Sequence, residues 1–380
     1  MNRPQVLLVA VGGYGAKYLT EMTLKDTGAD IAGIVEVMPD IAEKQPVIRE
    51  RSIPVYASIA DFYREHSADL AVISAPIQLH TPMTVECLRN GSHVLCEKPL
   101  CLTEEEAHTM AAEAEKAGRF LAIGYQLNYQ RDVLQLKRDI LSGRFGRFIR
   151  GRVVHAMRRG AKYYARNNWA GMAEVNGREV LDSPFNNACA HNFQLMTFLL
   201  GGDMASAAPV TLGGGELYRA NPGITNFDIA ALRFLTEGGA PVLYYTAHPL
   251  RTKNLGPSGR MEFEHATVTW ELGQRYRAEL DSGEIIDYGS IPATPLLQKL
   301  YDAIDCVKHG GTPSCGVEAE YPHIRAVRSV QALPIREVDP ALIDILEEDG
   351  DTFRCVRGLE EAFTQSAAAW ALPGELGLRF

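Results

Sequence analysis

Lys98 is the residue whose placement asks for a chemical explanation. In GSHVLCEKPLCLTEEEA, residues 91–107, an apolar run ends in Glu97, Lys98 and Pro99. Short, continuously apolar runs suit strands covered on both faces in a parallel sheet. In such sheets ligands bind beyond the carboxyl ends of the strands. Pro99 bars Lys98 from helical geometry, which would aim its ammonium in a fixed direction. Two readings stand: a solvated strand-end lysine, or a group that binds and relays a proton at a substrate hydroxyl. A second candidate pair, Asn187 and His191, lies four apart in VLDSPFNNACAHNFQLMTFLLGG, so one helix face would carry both. Ser183 is a cap candidate and Pro184 a first-turn residue, predicting a helix from 184 to about 200. His191 is either a solvent-facing histidine or a general acid/base, its ordinary pKa lying near neutrality.

The stretch VLLVAVGGYGAKYL reads as strand, glycine turn and helix start. As a dinucleotide fingerprint its key positions are Ala10, Gly12 and Gly15, with alanine in place of the first glycine. Gly12 would let the backbone approach a pyrophosphate, and Gly15 would let the helix pack close to the sheet. Amides at the helix start would face the phosphates. The next strand, IAGIVE, ends in Glu36, 21 residues beyond Gly15, near the ~20 expected for a ribose-binding acid. A carboxylate there accepts from ribose hydroxyls and repels a 2′-phosphate, so NAD is expected ahead of NADP. A tight strand–helix turn and a solvated glutamate are the plain alternatives.

These residues need elements to hold them. Apolar runs at Val6–Val9, Ile31–Val35, Leu70–Ile73, His93–Cys96 and Phe120–Ile123 alternate with helical stretches. Thr81-Pro82 opens one helix, ending at Asn90-Gly91; Thr103 with Glu106 forms a capping box for another, ending at Gly118. The expected fold class is α/β, with a doubly wound parallel Rossmann sheet over residues 1–125. From residue 126 to 380 the runs alternate and break at glycine and proline. They predict a second α/β domain on a large open, mostly antiparallel sheet, with Gly238-Gly239 in one hairpin and helices at 184–200 and 295–308. The tail after Pro334 reads as acidic and then weakly helical.

Composition sets limits. The chain has 380 residues, 46% hydrophobic and 22% charged, with a formal net charge of −9. That balance, without basic blocks, argues against nucleic acid and anionic membrane surfaces as partners. No run approaches the ~18 apolar residues of a membrane span. Seven cysteines without a CxxC pair suggest reduced thiols in a cytoplasm, with neither a disulfide framework nor a metal site.

The segment SAPIQLHTPMTVECLRNGSHVLCEKPLCLTEEEA, with the glycine turn, Pro76, His80 and Glu97-Lys98-Pro99, resembles the signature of the glucose–fructose oxidoreductase, inositol dehydrogenase and rhizopine-catabolism (Gfo/Idh/MocA) family. The resemblance continues through AIGYQLNYQ and RFGRFIRGRV, covering roughly residues 5 to 330. It implies a Rossmann domain, a substrate-binding and oligomerising domain, and a homodimer or homotetramer. It further implies that Lys98 lies beside nicotinamide and substrate and that Glu97 helps hold the cofactor. Cofactor contacts are expected at Gly12, Gly13, Tyr14, Gly15 and Glu36, and at Ser74, Pro76, His80, Glu97, Lys98 and Gln126.

Family members carry an aspartate and, four residues later, a histidine as partners of the lysine. Here the histidine is His191 but the aspartate position is Asn187, which can orient by hydrogen bonds yet cannot accept a proton. Asp182, nearby, is a possible compensating carboxylate. Lys98, His191 and Asn187 are thus the catalytic candidates. Tyr163, Arg166, Asn167 and Trp169, in RRGAKYYARNNWAG, join them as substrate-binding candidates, aromatic faces and planar donors suiting a sugar ring. The leading expectation is an NAD-dependent dehydrogenase acting on CH–OH groups of a sugar, polyol or glycoside. Alternatives are tightly held NAD used for transient oxidation in elimination or glycoside cleavage, and a non-catalytic sugar or NAD sensor.

Overall fold

The computed structural model describes residues 3–380, the side chain of Gln274 excepted. The chain divides into two compact units: the residues up to Gln130 with Thr294–Glu320, and Arg131–Ala293 with Tyr321–Phe380.

In the first unit, β1 (Gln5–Val9), β2 (Asp30–Val35), β3 (Val55–Tyr56), β4 (Leu70–Ile73), β5 (His93–Cys96) and β6 (Leu121–Ile123) form one sheet. Their order is β3-β2-β1-β4-β5-β6 and every pairing is parallel. This is the doubly wound sheet expected from the alternating runs, and its order reverses between β1 and β4, where such folds bind ligands. Val6, Leu8, Leu70, Val72 and Leu95 are buried on one of its faces. The helix Glu104–Ala117 has the Thr103–Glu106 capping box and ends at Gly118 in the left-handed region. The helix expected from Thr81 begins instead at His80, with Leu79 at the cap position and no side-chain cap. The helix expected at 295–308 spans Gln298–His309, and Leu297, Leu300, Ala303 and Ile304 are buried in the first unit's core. Its apolar stripe showed a buried face but not which sheet that face meets.

The second unit holds β7 (Phe148–Met157), a short hairpin of β8 (Glu174–Val175) and β9 (Arg178–Glu179), then β10 (Val210–Arg219), β11 (Ile229–Thr236), β12 (Pro241–Ala247), β13 (Asn254–Phe263), β14 (Ala266–Glu271), β15 (Gln274–Leu280), β16 (Ile285–Asp287), β17 (Ile335–Glu337), β18 (Ile343–Glu348) and β19 (Asp351–Val356). Nine of these strands make one sheet in the order β16-β15-β14-β13-β7-β12-β11-β10-β17. It is mostly antiparallel, as expected, with parallel junctions at β7–β12 and β10–β17. Gly238-Gly239 do lie in the β11–β12 connection, Gly239 with φ +77°. The tail after Pro334 is more structured than its composition suggested: β17 extends the sheet, β18 and β19 form a hairpin, and a helix spans Leu359–Ala369. Leu359, Phe363 and Ala367 enter a core with Ala156, Ile229 and Tyr245. None of the seven cysteines forms a disulfide. No helix among the described residues is long and apolar enough to cross a membrane.

Candidate active site

The glycine turn follows β1 and leads into the helix Ala16–Leu24. A Cβ on Gly15 would lie 2.1 Å from the Ala10 carbonyl oxygen, and one on Gly12 would lie 2.5 Å from Met38 Sδ. Gly15, which meets backbone, therefore requires glycine, whereas a side chain at Gly12 would have to displace the flexible end of Met38. Above Gly13 nothing lies within 4 Å. Ala10 itself takes a left-handed φ of +64°, a conformation that costs an L-residue about 1–2 kcal/mol. Glu36 is buried beside this turn, accepting from the amides of Gly12 (3.0 Å), Val37 (2.9 Å) and Met38 (3.2 Å). Tyr14 donates its hydroxyl to Gln126 Oε1 at 3.3 Å.

At the end of β4, the Ser74 amide bonds the Val9 carbonyl at 3.0 Å, across the point where strand order reverses. The loop that follows and the first turn of its helix carry three buried polar atoms without a hydrogen-bond partner: Ser74 Oγ, Gln78 Oε1 and Thr81 Oγ1. Pro76 precedes the 3₁₀ turn Ile77–Leu79. His80 is buried, its Nδ1 2.9 and 3.1 Å from the Pro99 and Leu100 carbonyl oxygens and its Nε2 2.8 Å from that of Ala75. The ring therefore ties the loop after β4 to the Lys98–Pro99 turn. Burial lowers its pKa and outweighs the carbonyls, which favour the charged form.

An open glycine turn, a buried carboxylate beside it and orphaned polar atoms at the strand reversal fit a dinucleotide. Gly13, Tyr14, Glu36 and Ser74 are the residues that would hold it.

Glu97 directly follows β5 and is buried. It accepts from the Tyr18 hydroxyl at 2.5 Å, from the Lys98 amide at 3.2 Å, and from Lys299 Nζ. Lys299 is itself buried, and donates also to the Gly124 carbonyl at 2.9 Å. Lys299 was not singled out in the sequence, because a lysine on an amphipathic helix reads as solvated. Lys98 is half-buried, and its peptide bond to Pro99 is cis.

In the second unit, Ser183 caps the helical segment by accepting from the Asn186 amide at 3.1 Å. The expected continuous helix is broken, however: Pro184–Ala188 is a π-helical turn, and the α-helix spans Ala190–Leu199. Asn187 and His191 are half-buried in a segment otherwise almost wholly buried, Gln194 included. Asp182 is buried; its Oδ1 accepts from Asn187 Nδ2 at 2.7 Å and its Oδ2 from the Gly171 amide at 2.6 Å. The carboxylate noted near Asn187 is thus in contact with it.

The remaining candidates follow β7. Asn167 Oδ1 accepts from the Trp169 (3.1 Å) and Ala170 (2.8 Å) amides, shaping the turn that presents Trp169. Arg166 lies 3.5 Å from the Tyr163 ring centre and 5.2 Å from that of Trp169. Burial and the Asp182 carboxylate push the Tyr163 hydroxyl up to about 12. The β18–β19 hairpin braces this loop: Asp351 Oδ1 accepts from the Lys162 amide at 2.9 Å, and Arg158 pairs with Glu348.

Residues 5–125 match the model of an oxidoreductase family, NAD-binding Rossmann fold (Gfo/Idh/MocA). Among curated relatives, 1,5-anhydro-D-fructose reductase of Ensifer adhaerens is 30% identical over 162 residues, covering 42% of this chain and 45% of that protein. The 2,7-anhydro-N-acetylneuraminate hydratase of Escherichia coli is 24% identical over 222 residues, covering 58% of this chain and 55% of the hydratase. The matches thus span about half the length of these relatives. The WlbA dehydrogenase of Bordetella pertussis, solved with NADH and UDP-GlcNAcA, has a TM-score of 0.71 at 21% identity, over 88% of this chain and 99% of that one. It shares the fold. Residues 5–125 are thus similar to the NAD-binding Rossmann domain of the Gfo/Idh/MocA oxidoreductases.

Proposed function

We propose that the protein is an NAD-dependent oxidoreductase transferring a hydride between nicotinamide and a hydroxyl-bearing carbon of a sugar, polyol or glycoside. NAD, when bound, supplies the hydride acceptor. Lys98 binds the reacting hydroxyl as a hydrogen-bond donor, and His191 takes its proton as the carbon is oxidised. Asn187, held by Asp182, orients the substrate or the imidazole. Tyr163, Arg166 and Trp169 bind the sugar, while the second unit also provides the contacts of a cytoplasmic homodimer or homotetramer.

The observation that carries this reading is the anchoring of Lys98. Its neighbour Glu97 is fixed from behind by Tyr18 and Lys299, so a half-buried amine is held at the carboxyl end of a strand in an NAD-binding sheet. The test is Lys98→Ala: turnover on a sugar panel should fall at least ~100-fold while NAD binding is retained. A near-normal rate removes Lys98 from the chemistry.

One observation favours a second reading. Asn187 stands where the family places a carboxylate, and one relative is named a hydratase. Transient oxidation with tightly held NAD would then drive elimination or glycoside cleavage. Nucleotide that survives gel filtration with the protein supports this reading; freely exchanging cofactor, with absorbance change at the reduced-nicotinamide band, supports net redox.

A further inference from the structure

Arg159 and Arg166 place two guanidinium groups 4.9 and 3.5 Å from the centre of one ring, that of Tyr163. Neither has a carboxylate within 4.0 Å among the described residues, whereas the adjacent Arg158 pairs with Glu348. Arg159 Nε is buried and has no hydrogen-bond partner, an expense that a folded protein seldom leaves uncompensated. His248, 2% exposed, has its ring centre 5.2 Å from that of Tyr163. Its Nδ1 lies 2.9 Å from the Tyr164 hydroxyl, while its Nε2 is buried without a partner.

The acids nearby are already engaged. Asp182 accepts from Asn187 and Gly171, and Asp228 from the amides of Ala220 and Asn221 and from Asn221 Nδ2. Burial and both arginines hold His248 neutral. In the tautomer whose Nδ1 accepts from the Tyr164 hydroxyl, the neutral ring carries its proton on Nε2 and adds a further donor. Uncompensated guanidiniums, an orphaned Nε and a buried imidazole donor share one chemistry: they complement an oxyanion.

We propose that Arg159, Arg166 and His248 form an oxyanion subsite beside Tyr163, and that the substrate is an acidic sugar bearing a carboxylate or a phosphate. The subsite deepens the sugar-oxidoreductase reading above and rests on it. Arg158 and the β18–β19 hairpin hold the loop that presents the two arginines, so the C-terminal tail contributes to substrate choice through position.

Binding is measured by titration calorimetry on the full chain with glucose, glucuronate and glucose 6-phosphate, with and without NAD. At least one anion should bind at least ~10-fold more tightly than glucose, consistent with charge-assisted bonds. Preference for glucuronate identifies a carboxylate; preference for the phosphate ester identifies a phosphate. Arg166→Met and Arg159→Met should each erase most of that preference, and His248→Phe should reduce it. NAD affinity, read in the same samples, reports whether each variant has folded. On the unaltered protein, added potassium chloride should weaken anion binding and leave glucose binding unchanged. Equal affinity for all three sugars, binding of neither anion, or a preference that survives in the double arginine variant overturns the proposal. Because binding is read without turnover, absent hydride transfer would defeat the oxidoreductase reading alone, and turnover confined to neutral sugars would defeat the subsite alone.

Discussion

Asn187 donates from Nδ2 to Asp182 Oδ1 at 2.7 Å, so an amide and a carboxylate five residues apart are joined at the π-helical turn that precedes His191. The carboxylate absent from position 187 is present one contact away. Its second oxygen is occupied by the Gly171 amide, which fixes its orientation and leaves it poorly placed to take a proton.

Replacing Asn187 by Asp sets two carboxyls against each other. One of the pair should keep its proton to a higher pH than an ordinary aspartate. A raised folded-state pKa gives stability that is complete at low pH and lost as pH rises through that value. Asn187→Asp should therefore match the parent near pH 4 and fall about 1–3 kcal/mol below it near pH 8. Thermal unfolding across this range measures it; a constant offset would show that the two groups do not interact.

Glu97 and Lys299 are both buried and bonded. Removing one partner strands a charge, so Lys299→Met should destabilise the protein by about 3–5 kcal/mol. The double variant Glu97→Gln/Lys299→Met should recover much of that loss. A double-mutant cycle by urea unfolding gives the coupling, and additive effects would show the contact to be idle.

Glu36→Ala removes the acceptor beside the glycine turn. NAD affinity should fall about 10- to 100-fold while NADP affinity is unchanged or improved. Fluorescence titration of both nucleotides checks this, and an unaltered ratio would assign ribose recognition elsewhere.

Asp228 is fully buried, and burial raises its pKa to about 6 from the ordinary 3.8. A raised value means that its contribution to stability is present below ~4 and is lost as pH rises through ~6. That loss amounts to about 3 kcal/mol at the extreme. Asp228→Asn, which cannot titrate, should therefore gain on the parent between pH 4 and pH 7, as followed by urea unfolding. A parallel pH dependence of the two proteins would refute the assignment.

The parallel sheet was legible because burial on both faces leaves continuous apolar runs, and glycine and capping signals mark where each run ends. The Glu36 position followed from spacing alone. Lys299 escaped because its partner lies some 200 residues away, and no local pattern distinguishes a buried lysine from a solvated one. The π-helical turn escaped for a related reason: Ser183 and Pro184 signal that a helix begins, not that its pitch widens before Cys189. His248 meets Arg159 and Tyr163 through the pairing of β7 with β12, a long-range register that sequence spacing does not specify.

The return of Thr294–Glu320 to the first unit means that the compact unit around the nucleotide-binding sheet is not encoded by a contiguous stretch of chain. A fragment stopping at Gln130 would lack the apolar side of the helix Gln298–His309 and would bury Glu97 with no cation beside it. Grafting this half onto another protein thus calls for two segments of backbone, one taken from beyond residue 293.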